Sequence, residues 1–201
     1  MTTVYLIRHG AYENPKQIFH GRLPGFPLSK EGKQKAEKLA GFLNKHSIAV
    51  IYSSRLTRAH QTAEIIAKKI HKKVWIDRRL LDIRTPLQGK PYAFARTYDG
   101  NFYQDKLIRM GAERLSDVFS RIDRFLRGKV KIHAGRHFVV VTHGDLIMSV
   151  YDRYSGRNWP QWGYSFKNWY VPQASGIKVE FDASGSPVRV TKLAVNAARN
   201  M

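Results

Sequence analysis

Two stretches of this chain share one grammar. VYLIRHG occupies residues 4–10, and VVVTHG occupies residues 139–144. Each is an apolar run suited to a buried strand, ended by a polar residue, a histidine and a glycine. Between and around them, apolar runs alternate with helical periodicity, which predicts a largely parallel sheet flanked by helices. In open α/β sheets the ligand site lies beyond the carboxyl ends of the strands. If the two strands are neighbours, His9 and His143 face each other there. One histidine at a strand end is commonly structural; two in matching contexts point to function.

The other elements follow from periodicity. SKEGKQKAEKLAGFLNK puts Ala36, Leu39, Ala40 and Leu43 on one helical face, with Ser29 placed to cap it. IAVIYSS is a second buried strand. In RLTRAHQTAEIIAKKI, Leu56, Ala59, Ala63, Ile66 and Ile70 form a helical stripe, with Ser53 or Ser54 at its amino end. VWIDRRLL is a shorter strand candidate. Pro86, Gly89, Pro91 and Gly100 make the stretch from Asp82 to Asn101 irregular. AERLSDVFSRIDRFLRG is amphipathic, DLIMSVYDRYSG is helical, and GIKVEF, DASGSP and VRVTKL form a hairpin pattern. No repeat or low-complexity tract breaks the 201 residues, so one domain over 1–201 is expected.

Composition narrows the function classes. There is no cysteine, which excludes a disulfide framework and thiolate chemistry. No apolar run is long enough to span a bilayer. MTTVYLIRHG lacks the basic head and apolar length of a signal peptide, so a cytoplasmic protein with no membrane partner is expected. Lys and Arg number 35 against 15 Asp and Glu, a net charge of +20 spread along the chain. Such a field attracts anions: phosphorylated metabolites, nucleic acid or acidic lipid. A nucleic-acid partner finds no support in a zinc-finger spacing, an RNP-like block or a clear helix-turn-helix.

SSRLTRAHQTA places Arg55 and Arg58 in the first turns of a helix that follows a strand. A helix amino terminus offers free N–H groups and a positive dipole end, and arginine adds a fork that matches phosphate oxygens. With Arg8 and the two histidines, Arg58 fits a phosphate pocket.

RHG near the start, SSRLTRAHQTA after the second strand and THG after a late strand resemble the histidine phosphatase superfamily, which has the phosphoglycerate mutase-like fold. GRLPGFPLSKEGKQKA resembles a further block of that family, and the blocks run in the family's order from residue 4 to residue 144. The resemblance implies a three-layer α/β sandwich with a mostly parallel central sheet. It implies His9 as the nucleophile that becomes a phosphohistidine. Arg8, Arg58 and His143 would hold the phosphoryl oxygens, and Asp82 would be the proton donor where family members commonly have glutamate. Asn14, about one position early relative to the family's asparagine, Gly21 and Gly144 are further expected substrate contacts, and Arg22, Arg84 and the aromatic segment from Trp159 to Tyr170 are loop candidates to meet the leaving group. Glu13 and Asp145 are the alternatives to Asp82. The chain departs from the family at Arg55, where proline is common, and at Ala11, where glutamate is.

The expected activity is hydrolysis of a small phosphomonoester through phosphohistidine, with no metal and no cofactor. Phosphoglycerate mutase chemistry is the alternative on the same residues, and a basic nucleic-acid-binding protein is the alternative from another class. The sequence is silent on oligomeric state and on the identity of the ester.

Overall fold

The computed structural model describes residues 1–98, 101–156 and 169–193. Six strands form one sheet: β1 (Thr2–Arg8), β2 (Ile48–Ser53), β3 (Val74–Ile76), β4 (His137–Thr142), β5 (Gly176–Phe181) and β6 (Pro187–Lys192). Their spatial order is β3-β2-β4-β1-β5-β6. The pairs β3–β2, β2–β4 and β4–β1 are parallel, while β5 and β6 run antiparallel.

The two faces of β1 explain the layers. Alternate residues of a strand point to opposite faces. Tyr5 and Ile7 pack with Leu39, Leu43, Ala59, Ala63 and Ile66. These come from helices α1 (Lys30–Leu43) and α2 (Thr57–Ile70). Val4 and Leu6 pack on the other face with Phe125, Leu126, Leu146 and Ile147, from α4 (Leu115–Ile132) and α5 (Gly144–Tyr154). A short helix, α3 (Asp105–Arg109), precedes α4. The expected three-layer α/β sandwich is therefore present, with the antiparallel hairpin at one edge.

The α1 start follows its sequence signal: Ser29 Oγ accepts from the Gly32 N–H at 3.1 Å, a cap worth about 1 kcal/mol. Two expectations need correction. The residue before α2 is Leu56, which offers no side-chain cap; Ser54 Oγ instead accepts the Leu56 N–H at 3.3 Å. The VWIDRRLL strand stops at Ile76. Asp77 then accepts from the Arg79 N–H and starts a 3-10 turn, Arg78–Leu80. That turn is tied to the end of β4 by Thr142 Oγ1, which donates to Leu80 O at 2.8 Å. It thereby delivers Asp82 to the same end of the sheet as His9 and His143.

Among the described residues no helix is long and apolar enough to cross a membrane.

Candidate active site

Parallel pairing sets Arg8 opposite Thr142, so the residues that follow, His9 and His143, leave adjacent strands side by side. Their ring centroids lie 5.2 Å apart. Both histidines are buried, at 2% and 1% exposure.

His9 Nδ1 lies 2.8 Å from Gly10 O. A carbonyl only accepts, so Nδ1 carries the proton and Nε2 keeps its lone pair. Arg58 Nε, which only donates, stands 3.3 Å from that Nε2. Burial, then the neighbouring His143, Arg58 and Arg8, hold the His9 imidazole well below its ordinary pKa. His9 is thus a neutral imidazole with a lone pair facing inward. Gly10 is required by packing: a Cβ there would sit 2.8 Å from the Gly32 carbonyl oxygen of α1. Its N–H is held by Thr62 Oγ1 at 3.0 Å.

Arg58 is the second residue of α2 and is fully buried. Its Nη2 donates to Asp82 Oδ2 at 2.7 Å and to Gly21 O at 2.9 Å. Arg58 Nη1 and Arg8 Nε are buried donors with no partner among the described residues. Such donors are rare because each forfeits its hydration without replacement. Arg8 Nη1 donates to Val171 O at 2.7 Å.

Asp82 Oδ2 also lies 3.3 Å from His143 Nδ1 and 3.5 Å from His20 Nε2. Burial alone would raise its pKa. His143, the His20 hydrogen bond and Arg58 outweigh burial and hold the carboxyl well below the usual range. Burial keeps His143 itself depressed, so the permanent charge of Arg58 is the durable part of that pull. His143 Nε2 meets Ser54 Oγ at 3.0 Å.

Arg8, His9, His20, Gly21, Asp82, Thr85, Gly144 and Asp145 line a cavity of about 110 Å³, with Phe19, Ile83, Phe102 and Tyr170 among its ring and apolar walls; Arg58 and His143 adjoin it through His9 and Asp82. A larger depression, at the opposite end of the sheet around His46 and His137, touches none of this chemistry. Among the described residues there is no group of three or more His, Asp or Glu arranged to hold a metal ion.

The structure thus gathers Arg8, His9, Arg58, Asp82, His143, Gly21 and Gly144. Gly21, at φ +45°, offers its carbonyl to Arg58. A Cβ on Gly144 would collide with the Tyr170 ring, so this glycine makes room for a tyrosine. Other expected contacts are placed elsewhere. Asn14 ties its loop together and to Tyr92, donating to Ile18 O at 2.9 Å and to the Tyr92 hydroxyl at 3.2 Å and accepting the Ile18 N–H at 3.2 Å. Arg22 turns to Glu113 at 2.9 Å and to Asp82 O at 2.7 Å. Arg84 is exposed and lies with Arg22 and Arg121 in a neighbouring basic depression. Arg55 is exposed. Of the aromatic segment, residues 157–168 lie outside the described residues; Tyr170 reaches the cavity.

Several contributors carried no sequence signal. Tyr12 lies 2.8 Å from His20 Nδ1 through its hydroxyl and packs its ring 5.5 Å from the Arg58 guanidinium carbon. Arg121, on the polar side of α4, donates to Arg79 O, Leu81 O and Asp82 O at 2.6, 2.7 and 3.2 Å. With Arg22 it fixes the backbone behind the Asp82 carboxylate. On helical periodicity alone Arg121 looks like a solvated charge.

The family model of the histidine phosphatase superfamily, branch 1, matches residues 4–193. The chain belongs to this superfamily. It is 34% identical over 161 residues to the phosphoglycerate mutase-like protein 4 of Arabidopsis thaliana, covering 75% of this chain and 70% of that one. It is 31% identical over 154 residues to phosphoserine phosphatase 1 of Hydrogenobacter thermophilus, covering 71% of each. Its fold superimposes on Bacillus stearothermophilus YhfR with a TM-score of 0.78 at 25% identity, covering 94% of this chain and 95% of that one. In this superfamily member, the blocks read from the sequence converge on one cavity.

Proposed function

We propose that this protein is a phosphatase that hydrolyses small phosphomonoesters through a phosphohistidine on His9, acting as one domain over residues 1–201 and without a metal. The observation that carries the reading is the pairing of a neutral His9, whose Nε2 keeps its lone pair and accepts only a long 3.3 Å contact from Arg58 Nε, with two buried guanidinium N–H groups that lack partners among the described residues. A phosphoryl group's oxygens supply those partners. Names of relatives point the same way, since one is a phosphoserine phosphatase.

In this reading His9 Nε2 attacks phosphorus as the bond to the leaving oxygen breaks. Arg8, Arg58 and His143 stabilise the equatorial oxygens, which is most of what phosphoryl transfer asks of a protein. Asp82, released from Arg58 when the dianion takes over that guanidinium, takes up a proton from solvent as substrate binds and passes it to the leaving oxygen. Water then attacks the phosphohistidine, with the same carboxylate as base, and inorganic phosphate leaves. The absence of cysteine fits a cytoplasmic setting.

A relative named phosphoglycerate mutase-like favours a second reading, phosphoryl transfer between hydroxyls. A panel of sugar phosphates, nucleotides, phosphoglycerates and phosphoamino acids, assayed with and without chelator, separates the two. The phosphatase reading expects phosphate release that survives chelation. Isomerisation of phosphoglycerate dependent on a bisphosphoglycerate, with little phosphate released, would replace it. Loss of activity in chelator with rescue by a divalent cation would contradict the metal-independent route.

A further inference from the structure

We infer that the site takes a small phosphomonoester whose leaving group carries an ammonium, and that Asp145 receives that charge. The inference rests on the phosphatase reading for the phosphate end of the cavity and on separate groups for the other end.

Asp145 is the second residue of α5, directly after Gly144, and is 8% exposed. It lines the same cavity as His9 and Arg8. Tyr103 Oη donates to its Oδ2 and Tyr170 Oη to its Oδ1, both at 2.6 Å. Among the described residues no Lys, Arg or His forms an ion pair with it, in a chain of net charge +20. A carboxylate has about four acceptor positions, so each oxygen keeps capacity for one more donor. A buried carboxylate with no cation in direct contact is costly, by up to several kcal/mol.

The substrate's own phosphate sharpens the conflict. Burial raises the Asp145 carboxyl and the nearby Asp82 adds to the rise, while the two phenols and, after them, Arg8 pull it back without forming an ion pair. A phosphate dianion arriving at Arg8 and His9 pushes in the same direction as Asp82. A leaving group with a positive charge removes that repulsion and fills the vacant acceptor positions. The surroundings suit it: Phe19 and Phe102, 5.2 Å apart and edge-on, line the same cavity as the carboxylate, and aromatic rings are favourable neighbours for an ammonium. Tyr170 links the two ends, with the Arg8 guanidinium carbon 4.8 Å from its ring centre and its hydroxyl on Asp145. Phosphate and ammonium therefore lie close together, as the small cavity requires.

The test compares O-phosphoethanolamine, 2-hydroxyethyl phosphate and propyl phosphate, which differ only in the terminal group. Binding is measured by calorimetry on a His9→Ala variant, so that turnover does not interfere. The expected result is at least about tenfold tighter binding of the ammonium ester, the low end of couplings between close buried charges. Asp145→Asn in the same background should bring the three affinities together. Equal affinities with Asp145 present overturn the inference without needing the second variant to fold. A preference that survives Asp145→Asn in a folded protein also overturns it, as does 2-hydroxyethyl phosphate matching the ammonium ester. Turnover of p-nitrophenyl phosphate by the unaltered protein tests the phosphatase reading separately: ammonium preference without turnover overturns that reading and leaves the subsite standing.

Discussion

Arg58 points its Nε–H at His9 Nε2 across 3.3 Å. The donor cannot be turned into an acceptor at any accessible pH, so the imidazole nitrogen must present a lone pair. The same guanidinium binds Asp82 at 2.7 Å. One buried arginine therefore adds to burial and His143 in keeping the nucleophile unprotonated, and to His143 and His20 in keeping the carboxylate ionised.

Stability should depend on pH with a definite sign. His9 and His143 have folded pKa values below the ordinary 6.5, so below that value the unfolded chain binds more protons than the folded one. Their contribution is present above pH 6.5 and is lost as pH falls. Asp82, depressed below 3.8, adds a second loss below that value. Urea midpoints should be flat just above pH 6.5 and fall below it, with a steeper decline near pH 4 and under. A midpoint that rises on acidification from 6.5 to 5 would contradict neutral histidines in the fold.

Removing Arg58 should damage both chemistry and fold. Arg58→Ala should lower turnover by roughly two or more orders of magnitude, the scale of one preorganised charge contact. It strands the Asp82 carboxylate, so stability should fall by about 3–5 kcal/mol. Asp82→Asn added to Arg58→Ala should recover part of that stability and none of the activity. His143→Ala should weaken vanadate inhibition along with turnover. Near-normal vanadate affinity in both single variants would remove them from the phosphate pocket.

Asp82 is tested by leaving-group basicity. An alkyl phosphate needs its leaving oxygen protonated, whereas nitrophenolate departs unassisted. Asp82→Asn should slow an alkyl ester far more than p-nitrophenyl phosphate. If the two fell together and Glu13→Gln or Asp145→Asn gave the selective loss, the proton donor would be that residue instead.

The strand-end histidines were legible because burial forces VYLI and FVVV to be apolar, and the matched endings of a polar residue, histidine and glycine then stand out. The parallel register that brings Arg8 opposite Thr142 turned that likeness into a site. The β3 strand was overdrawn because the apolar Leu80 continues its pattern, although Leu80 is buried from a 3-10 turn that Asp77 caps and not from a strand. Arg22 was read from the sequence as a substrate contact; in the structure its guanidinium donates to Glu113, 91 residues away, which no local pattern could reveal, while the exposed Arg84 engages the same carboxylate only through its backbone N–H. Tyr12, His20 and Tyr103 escaped for the same reason. Their roles exist only through partners such as Asp82 and Asp145 that the fold brings alongside.

The central claim is that His9 carries the phosphoryl group during turnover. Rapid quench of the unaltered protein with a labelled substrate, followed by mass analysis of its peptides, tests it most directly. The account predicts an acid-labile, base-stable phosphoryl adduct on the peptide containing His9, formed within the first turnover and absent from His9→Ala. An adduct on another residue, or His9→Ala retaining most of the rate, would contradict it.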